Sequence, residues 1–259
     1  MDLEVLVATM NQNDHSLLDR MNIQSDAIIA NQASKYEMEE FKYKDHKIRW
    51  FSFGERGVGL NRNNALMRAK ADISVIADDD MIYVDNYREI IKEEFERYPK
   101  ADVIIFNLIE EEPERYVIKK PYKVGYTNYM RFGAARIAFK TKSITKNNIF
   151  FNMHFGGGTE HSAGEDVLFL TECLKKGLNI MAVPVSIAYL SEVRESTWFK
   201  GYTDKFFKDK GVLFYYISKR WAYLLCLQFA IRYRQKFKKK RSVIEVFKIM
   251  VEGIKREQN

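Results

Sequence analysis

The sequence predicts an α/β protein, a mostly parallel sheet flanked by helices, with a helical, aromatic and basic C-terminal appendage. Three observations point there. Short apolar runs alternate with helical patterns through the first 110 residues, as right-handed βαβ units require. Aliphatic, aromatic, Met and Cys residues make up 46% of 259 residues, enough to bury a large core and too many for a disordered chain. The charge is also divided. Residues 201–259 carry 15 Lys/Arg against 5 Asp/Glu, so they hold more than the whole net charge of +7, and residues 1–200 are slightly acidic. The expected division is a catalytic-type body at 1–200 and a region at 201–259 that meets an anionic surface.

The elements follow in order. LEVLVA (3–8) is a strand run that ends in Thr9-Met10-Asn11-Gln12, and a helix opened by Asp14 follows. DAIIANQ (26–32) and KIRWFSF (47–53) are the second and third strands; NRNNALMRAKA (61–71) is a helix. DISVIADDD (72–80) is a fourth strand closing in three aspartates. NYREIIKEEFERYP (86–99) is a helix stopped by Pro99, and DVIIFNLI (102–109) is a fifth strand. Beyond residue 110 the alternation weakens. RIAFKT (136–141) and NIMAVPVSIAYL (179–190) are strand-like, and GEDVLFLTECLKKGL (164–178) is a helix between glycines. In such sheets ligands bind outside the carboxyl ends of the strands, where the polar strand ends collect.

Two cysteines, Cys173 and Cys226, form no CxxC pair. A disulfide scaffold and a Cys-ligated zinc site are excluded, and a reducing, cytoplasmic compartment is expected. The opening MDLEVLVA carries Asp2 and Glu4 and no basic region, so it does not read as a signal peptide.

Chemistry concentrates in four places. Asp78-Asp79-Asp80 closes an apolar strand, and three adjoining carboxylates call for a cation or ordered donors. Hard oxygen ligands suit Mg²⁺ or Mn²⁺; the plain alternative is a solvated acidic turn. Strand alternation would set Asp78 and Asp80 on one side and Asp79 on the other. Glu165-Asp166 opens a helix, either capping it or supplying a general base. Gly156-Gly157-Gly158 before it allows close backbone approach to a ligand, or mobility. Arg62, after GVGLN, suits a diphosphate or a plain helix surface. His154 and His161 flank the glycine run, either reaching a phosphate or metal or standing as loop histidines.

GVGLNRNNAL (57–66), ADDDM (77–81) and GEDVLFL (164–170), in this order, resemble a family 2 glycosyltransferase with the GT-A, Rossmann-like fold, of the bacterial capsule and lipopolysaccharide type. The resemblance covers about residues 1–200. It implies an inverting, metal-dependent transfer of a sugar from a nucleotide-sugar donor, UDP-linked, to a hydroxyl of a growing, lipid-linked surface glycan. Thr9 and Asn11 would line the nucleoside pocket. Asn31 and Gln32 stand where relatives carry an acidic run, so the base would be met by an amide. Arg62 would approach the base or diphosphate. Asp78 and Asp79 would hold the ribose or sugar side, and Asp80 the Mn²⁺ or Mg²⁺. Asp166 would be the catalytic base, with Glu165 orienting the site. Some relatives use a histidine after the Glu-Asp pair as a metal ligand, and here none follows His161.

Two other functions are weighed. A nucleotidyltransferase would carry a Gly-rich basic loop near the first strand, where this chain has VATMNQND. A non-catalytic anion- or membrane-binding protein leaves DDD and GED unexplained. Nucleic acid is not an expected partner, given the acidic body and the lack of a recognition motif. In the C-terminal region VLFYYISKRWAYLLCLQFAI (212–231) precedes Arg232, Arg234, Lys236 and the run KKKR at 238–241. Lys219 and Arg220 interrupt it, too soon for a span of about 20 residues. It is expected to lie at an anionic membrane surface or to pack on the body.

Overall fold

LEVLVATM is apolar almost throughout because it forms β1 (Leu3–Met10), buried on both faces at the middle of the sheet. The structure, a computed structural model, describes residues 1–110, 115–190 and 201–258. After β1 come α1 (Leu17–Arg20), β2 (Asp26–Gln32), β3 (Glu37–Tyr43), β4 (His46–Phe53), α2 (Val58–Leu66), β5 (Ile73–Asp78), β6 (Met81–Tyr83) and α3 (Tyr87–Arg97). Then follow β7 (Val103–Ile109), β8 (Tyr122–Val124), β9 (Ile137–Lys140), α4 (Thr141–Lys146), α5 (Glu165–Lys175) and β10 (Ile180–Leu190). The C-terminal region forms α6 (Asp204–Ile217), α7 (Ala222–Arg232), α8 (Arg234–Phe237) and α9 (Val243–Gln258).

Among the described residues the strands make one sheet in the order β3-β4-β2-β1-β5-β9-β7-β10-β6, with β8 also on β10. Its centre, β4-β2-β1-β5, is parallel, and β7 runs parallel to β10. β9 enters antiparallel between β5 and β7. Helices cover both faces. Leu17, Leu18, Tyr87, Ile91 and Phe95 pack on one side, and Leu66, Phe132, Ile144, Phe151 and Phe169 on the other.

The expected strands are all present, with adjustments to one strand and two helices. The run ending in DDD stops at Asp78, because Asp79 and Asp80 turn the chain into β6. Strand alternation therefore does not govern the three carboxylates. The helix expected from Asn61 starts earlier, at Val58, and the helix expected after Asp14 is a single turn. β3 was not foreseen. EMEEFKY has no continuous apolar run, yet it pairs antiparallel with β4 through a two-residue turn, Lys44-Asp45, both at positive φ. Its charges suit a sheet edge.

The described residues divide into two compact units, one of 1–153 and 165–190, the other of 154–164 and 201–258. The expected boundary at residue 200 falls in 191–200, outside the described residues. In the second unit α6 and α9 meet backbone to backbone. A Cβ at Gly211 would stand 2.1 Å from Met250 O, and one at Gly253 2.4 Å from Lys208 O. Ser242 and Glu245 open α9 as a capping box: Ser242 N donates to Glu245 Oε2 (2.7 Å) and Glu245 N to Ser242 Oγ (3.2 Å). The glycine run lies here, in a loop closed on itself by Gly156 N donating to His161 O (2.7 Å). His161 is buried, with Nδ1 3.2 Å from Asp209 Oδ1 and Nε2 3.8 Å from Glu257 Oε2. Burial alone would raise the Asp209 carboxyl, but His161, Lys205 and the Ser162 amide hold it down at about 2.

Two outcomes are expected for this unit. Gly253→Ala forces the helices apart and lowers stability by about 1–3 kcal/mol, read by urea unfolding. Because the Asp209 carboxyl is depressed in the folded state, its contribution is present above its unfolded value near 3.8 and disappears as pH falls toward 2. Asp209→Asn should be less stable than wild type at pH 6, with the difference shrinking between about pH 4 and pH 2 in thermal melts.

Candidate active site

Because β1, β2, β4 and β5 are parallel, their carboxyl ends share one edge, and Thr9, Asn31, Gln32 and Asp78 arrive there together. α2 leaves the end of β4 and crosses this edge with an unusually polar buried face: Asn61, Arg62 and Asn63. Buried polar groups must be bonded, and here each bond ties down a different segment. Asn61 Nδ2 donates to Thr9 O (3.1 Å) and Ala30 O (2.8 Å), holding β1 and β2. Asn63 donates to Phe151 O (2.9 Å) and accepts from Phe151 N (2.8 Å). Only glycine fits at 59, where a Cβ would stand 2.4 Å from Asn152 O.

Arg62 joins the two acidic motifs. Its Nη2 donates to Asp78 Oδ1 at 2.6 Å and its Nη1 to Glu165 Oε1 at 2.8 Å. Burial disfavours the guanidinium charge, but Asp78 and Glu165 outweigh it and keep its pKa above the ordinary arginine value. Residues 78 and 165 thus meet across 87 positions of sequence. Phe151 stacks on Phe169 at 4.4 Å, a second link from α2 to α5.

The other expected residues fall as follows. Thr9 Oγ1 donates to Asp79 Oδ2 (2.6 Å) and accepts from Gln12 Nε2 (2.9 Å). Asn11 is exposed with φ 55°, its amide bonded to Gln32 O (2.9 Å). Asn31 is fully buried. Its Nδ2 donates to Gln12 O (3.0 Å) and Ser52 Oγ (3.2 Å), and its Oδ1 accepts from Gln12 N (3.1 Å). It fastens the loop after β1 rather than presenting an amide to a base. Gln32 Oε1 accepts from Gly57 N (2.8 Å), setting the entry of α2. Arg62, expected at a diphosphate, is committed to carboxylates. Asp166 Oδ1 accepts from Val167 N (2.7 Å), and a Cβ on Gly133 would lie 3.5 Å from its Oδ2.

Asp80 differs from its neighbours. Burial first, then Asp78 and Asp79, raise its carboxyl above the usual range. Its Oδ1 is buried without a hydrogen-bond partner, as are Asn61 Oδ1 and Arg62 Nε. An orphaned carboxylate oxygen beside two further carboxylates fits a hard divalent cation. No group of three His, Cys, Asp or Glu that could hold a metal occurs among the described residues. Mg²⁺ and Mn²⁺ sites of that kind complete their coordination with water and substrate phosphate.

Asn61, Asn63 and Gly59 were not singled out from the sequence. Their signal was present as amides flanking an arginine inside a helix that carries almost no apolar face. The role of Arg62 as a clasp can be separated from a diphosphate role. Arg62→Met should lower stability by on the order of 2–3 kcal/mol, discounted because Asp78 is partly exposed. A diphosphate-binding arginine would instead cost activity and leave the urea midpoint in place.

These features agree with the comparisons to known proteins. The fold matches the crystal structure of S. aureus TarS 1-349 in complex with UDP-GlcNAc with a TM-score of 0.68 at 14% identity, covering 98% of this chain and 79% of that one. The same protein in complex with UDP matches at 0.65 and 14% identity, over 98% and 81% of the two chains. The longer TarS structure matches at 0.62 and 13% identity, over 90% of this chain and 44% of that one. No curated protein sequence matches. The sequence profile of glycosyl transferase family 2 matches residues 15–168, from the turn before α1 through both acidic motifs, and the chain belongs to that family.

Proposed function

We propose that the protein is an inverting, metal-dependent glycosyltransferase that moves a sugar from a UDP-sugar to a hydroxyl of a growing, lipid-linked bacterial surface glycan. The observation that carries this reading is the Arg62 clasp, which brings the DDD turn and the Glu165-Asp166 pair to one site. One group can then meet the departing diphosphate while the other meets the attacking hydroxyl. The TarS complexes with UDP-GlcNAc and UDP support a uridine nucleotide donor on this fold.

The residues act as follows in this reading. Thr9 and Asn11 stand at the end of β1 beside the nucleoside, and Thr9 orients Asp79. Asp78, steadied by Arg62, faces the ribose and sugar side. Asp80, with its orphaned oxygen, would hold Mn²⁺ or Mg²⁺. When bound, that ion neutralises charge developing on the nucleoside diphosphate. Asp166 takes the proton of the acceptor hydroxyl as its oxygen bonds to the anomeric carbon, while the bond from that carbon to the diphosphate oxygen breaks. One displacement from the opposite face inverts the configuration. Glu165 works through Arg62, fixing the start of α5 so that Asp166 stays in place.

The tests are direct. Asp166→Asn should lower turnover by roughly 10²-fold or more with donor affinity nearly unchanged, measured by nucleotide release and by calorimetry. NMR of the product should show an inverted anomeric centre; retention would refute a single displacement. Asp80→Asn should abolish transfer, and wild-type activity should vanish in EDTA. Since the Asp80 carboxyl is raised on folding, ionising it costs stability at neutral pH. The Asn variant should therefore melt no lower than wild type. Full activity in EDTA would remove the metal from the mechanism.

A further inference from the structure

α7 is built inside out for a helix at a protein surface. Its buried residues are the small ones, Ala222, Cys226 and Ala230, in register at every fourth position. Its outward face carries the large apolar side chains Tyr223, Leu224, Leu227 and Ile231, with Trp221 just before the helix. Leu224 is 56% exposed, and Trp221 and Ile231 are 52% exposed. A helix of this kind normally turns polar residues to water. Here Gln228 and Arg232 are the only polar residues in α7. The helix is also framed by one sign of charge. Between Asp209 and Glu245 there are ten Lys/Arg and no Asp or Glu. Lys219 and Arg220 stand exposed before α7, and Arg232, Arg234, Lys236 and Lys238 to Lys240 stand exposed at its end and beyond.

We propose that the outward face of α7 is a docking surface for an anionic phospholipid bilayer. The apolar side chains enter the boundary between headgroups and acyl chains, and the flanking bases meet the headgroup phosphates. Charge selects this occupant. A stretch of ten cations without an acid repels a second copy of itself and is drawn to an anionic surface. Trp221 and Tyr223 at the start of the helix suit the headgroup level. No helix among the described residues is long and apolar enough to cross a membrane. The chain breaks between α6 and α7 at Ser218–Trp221, so α7 is a short helix suited to lying in the plane of the interface. The surface exists independently of the transfer reaction, and its failure would leave the proposed chemistry untouched.

The experiment is co-sedimentation of the full-length protein with vesicles of phosphatidylcholine alone and with vesicles containing about a third phosphatidylglycerol. Wild type should bind the mixed vesicles, release in high salt and ignore the neutral ones. Changing Lys238, Lys239 and Lys240 to Gln should weaken binding by on the order of 100-fold. Changing Leu224, Leu227 and Ile231 to Ser should weaken it at least about tenfold, while circular dichroism at the assay temperature still shows a folded protein. Donor hydrolysis in solution should be the same for all three proteins. Binding indifferent to both sets of changes would overturn the proposal. So would light scattering that shows a wild-type dimer and a monomeric Ser variant with no vesicle binding by either, which would give the face to a second copy.

Discussion

The site depends on one buried cation. Arg62 lies inside the molecule with carboxylates from β5 and α5 on its two terminal nitrogens. Without it, the carboxylates of Asp78 and Glu165 would lose the cation that joins them. With it, their repulsion becomes a directional bond pattern. The polar residues of α2 follow from the same need. A helix that must carry a buried charge across the strand ends cannot use an apolar stripe to stay in place, so Asn61 and Asn63 attach it through backbone carbonyls and amides.

This arrangement separates bonded side chains from one that keeps an unbonded atom. Asn31, Gln32, Arg62 and Glu165 are bonded to loops and to one another. Asp80 keeps an oxygen with no partner inside the protein. Sites are commonly made this way, with satisfied groups fixing the position of unsatisfied ones. The buried orphan atoms Asn61 Oδ1, Arg62 Nε and Asp80 Oδ1 all belong to this edge.

Much of the fold was legible because the buried strands announce themselves. Runs such as LEVLVA, SVIA and VIIF have no soluble alternative. β3 was illegible by the same criterion, since an edge strand with charges on it looks like a loop until its partner is known. The two acidic motifs were legible as chemistry, as three carboxylates in a row are costly without a purpose. Their meeting was implied only by the resemblance, and the arginine that joins them was not legible as a clasp, because Glu165 lies 103 residues from it. The roles of Asn31 and Arg62 were obscured for a related reason. A residue at a strand end can face the ligand or the protein, and only packing decides between them.

The position of β9 bears on how the chain reaches this structure. Its four residues pair with Ile73–Val75 of β5 on one side and with Val103–Ile105 of β7 on the other. β9 comes after both in sequence, so the two halves of the sheet cannot be joined until residue 140 has been made. The β4-β2-β1-β5 layer can pair earlier from contacts within its first 78 residues. β7 then waits with an open edge for β9 and for β10, which arrives later still. Synthesis from the amino end therefore presents the β4-β2-β1-β5 layer first, with β9 and β10 following it.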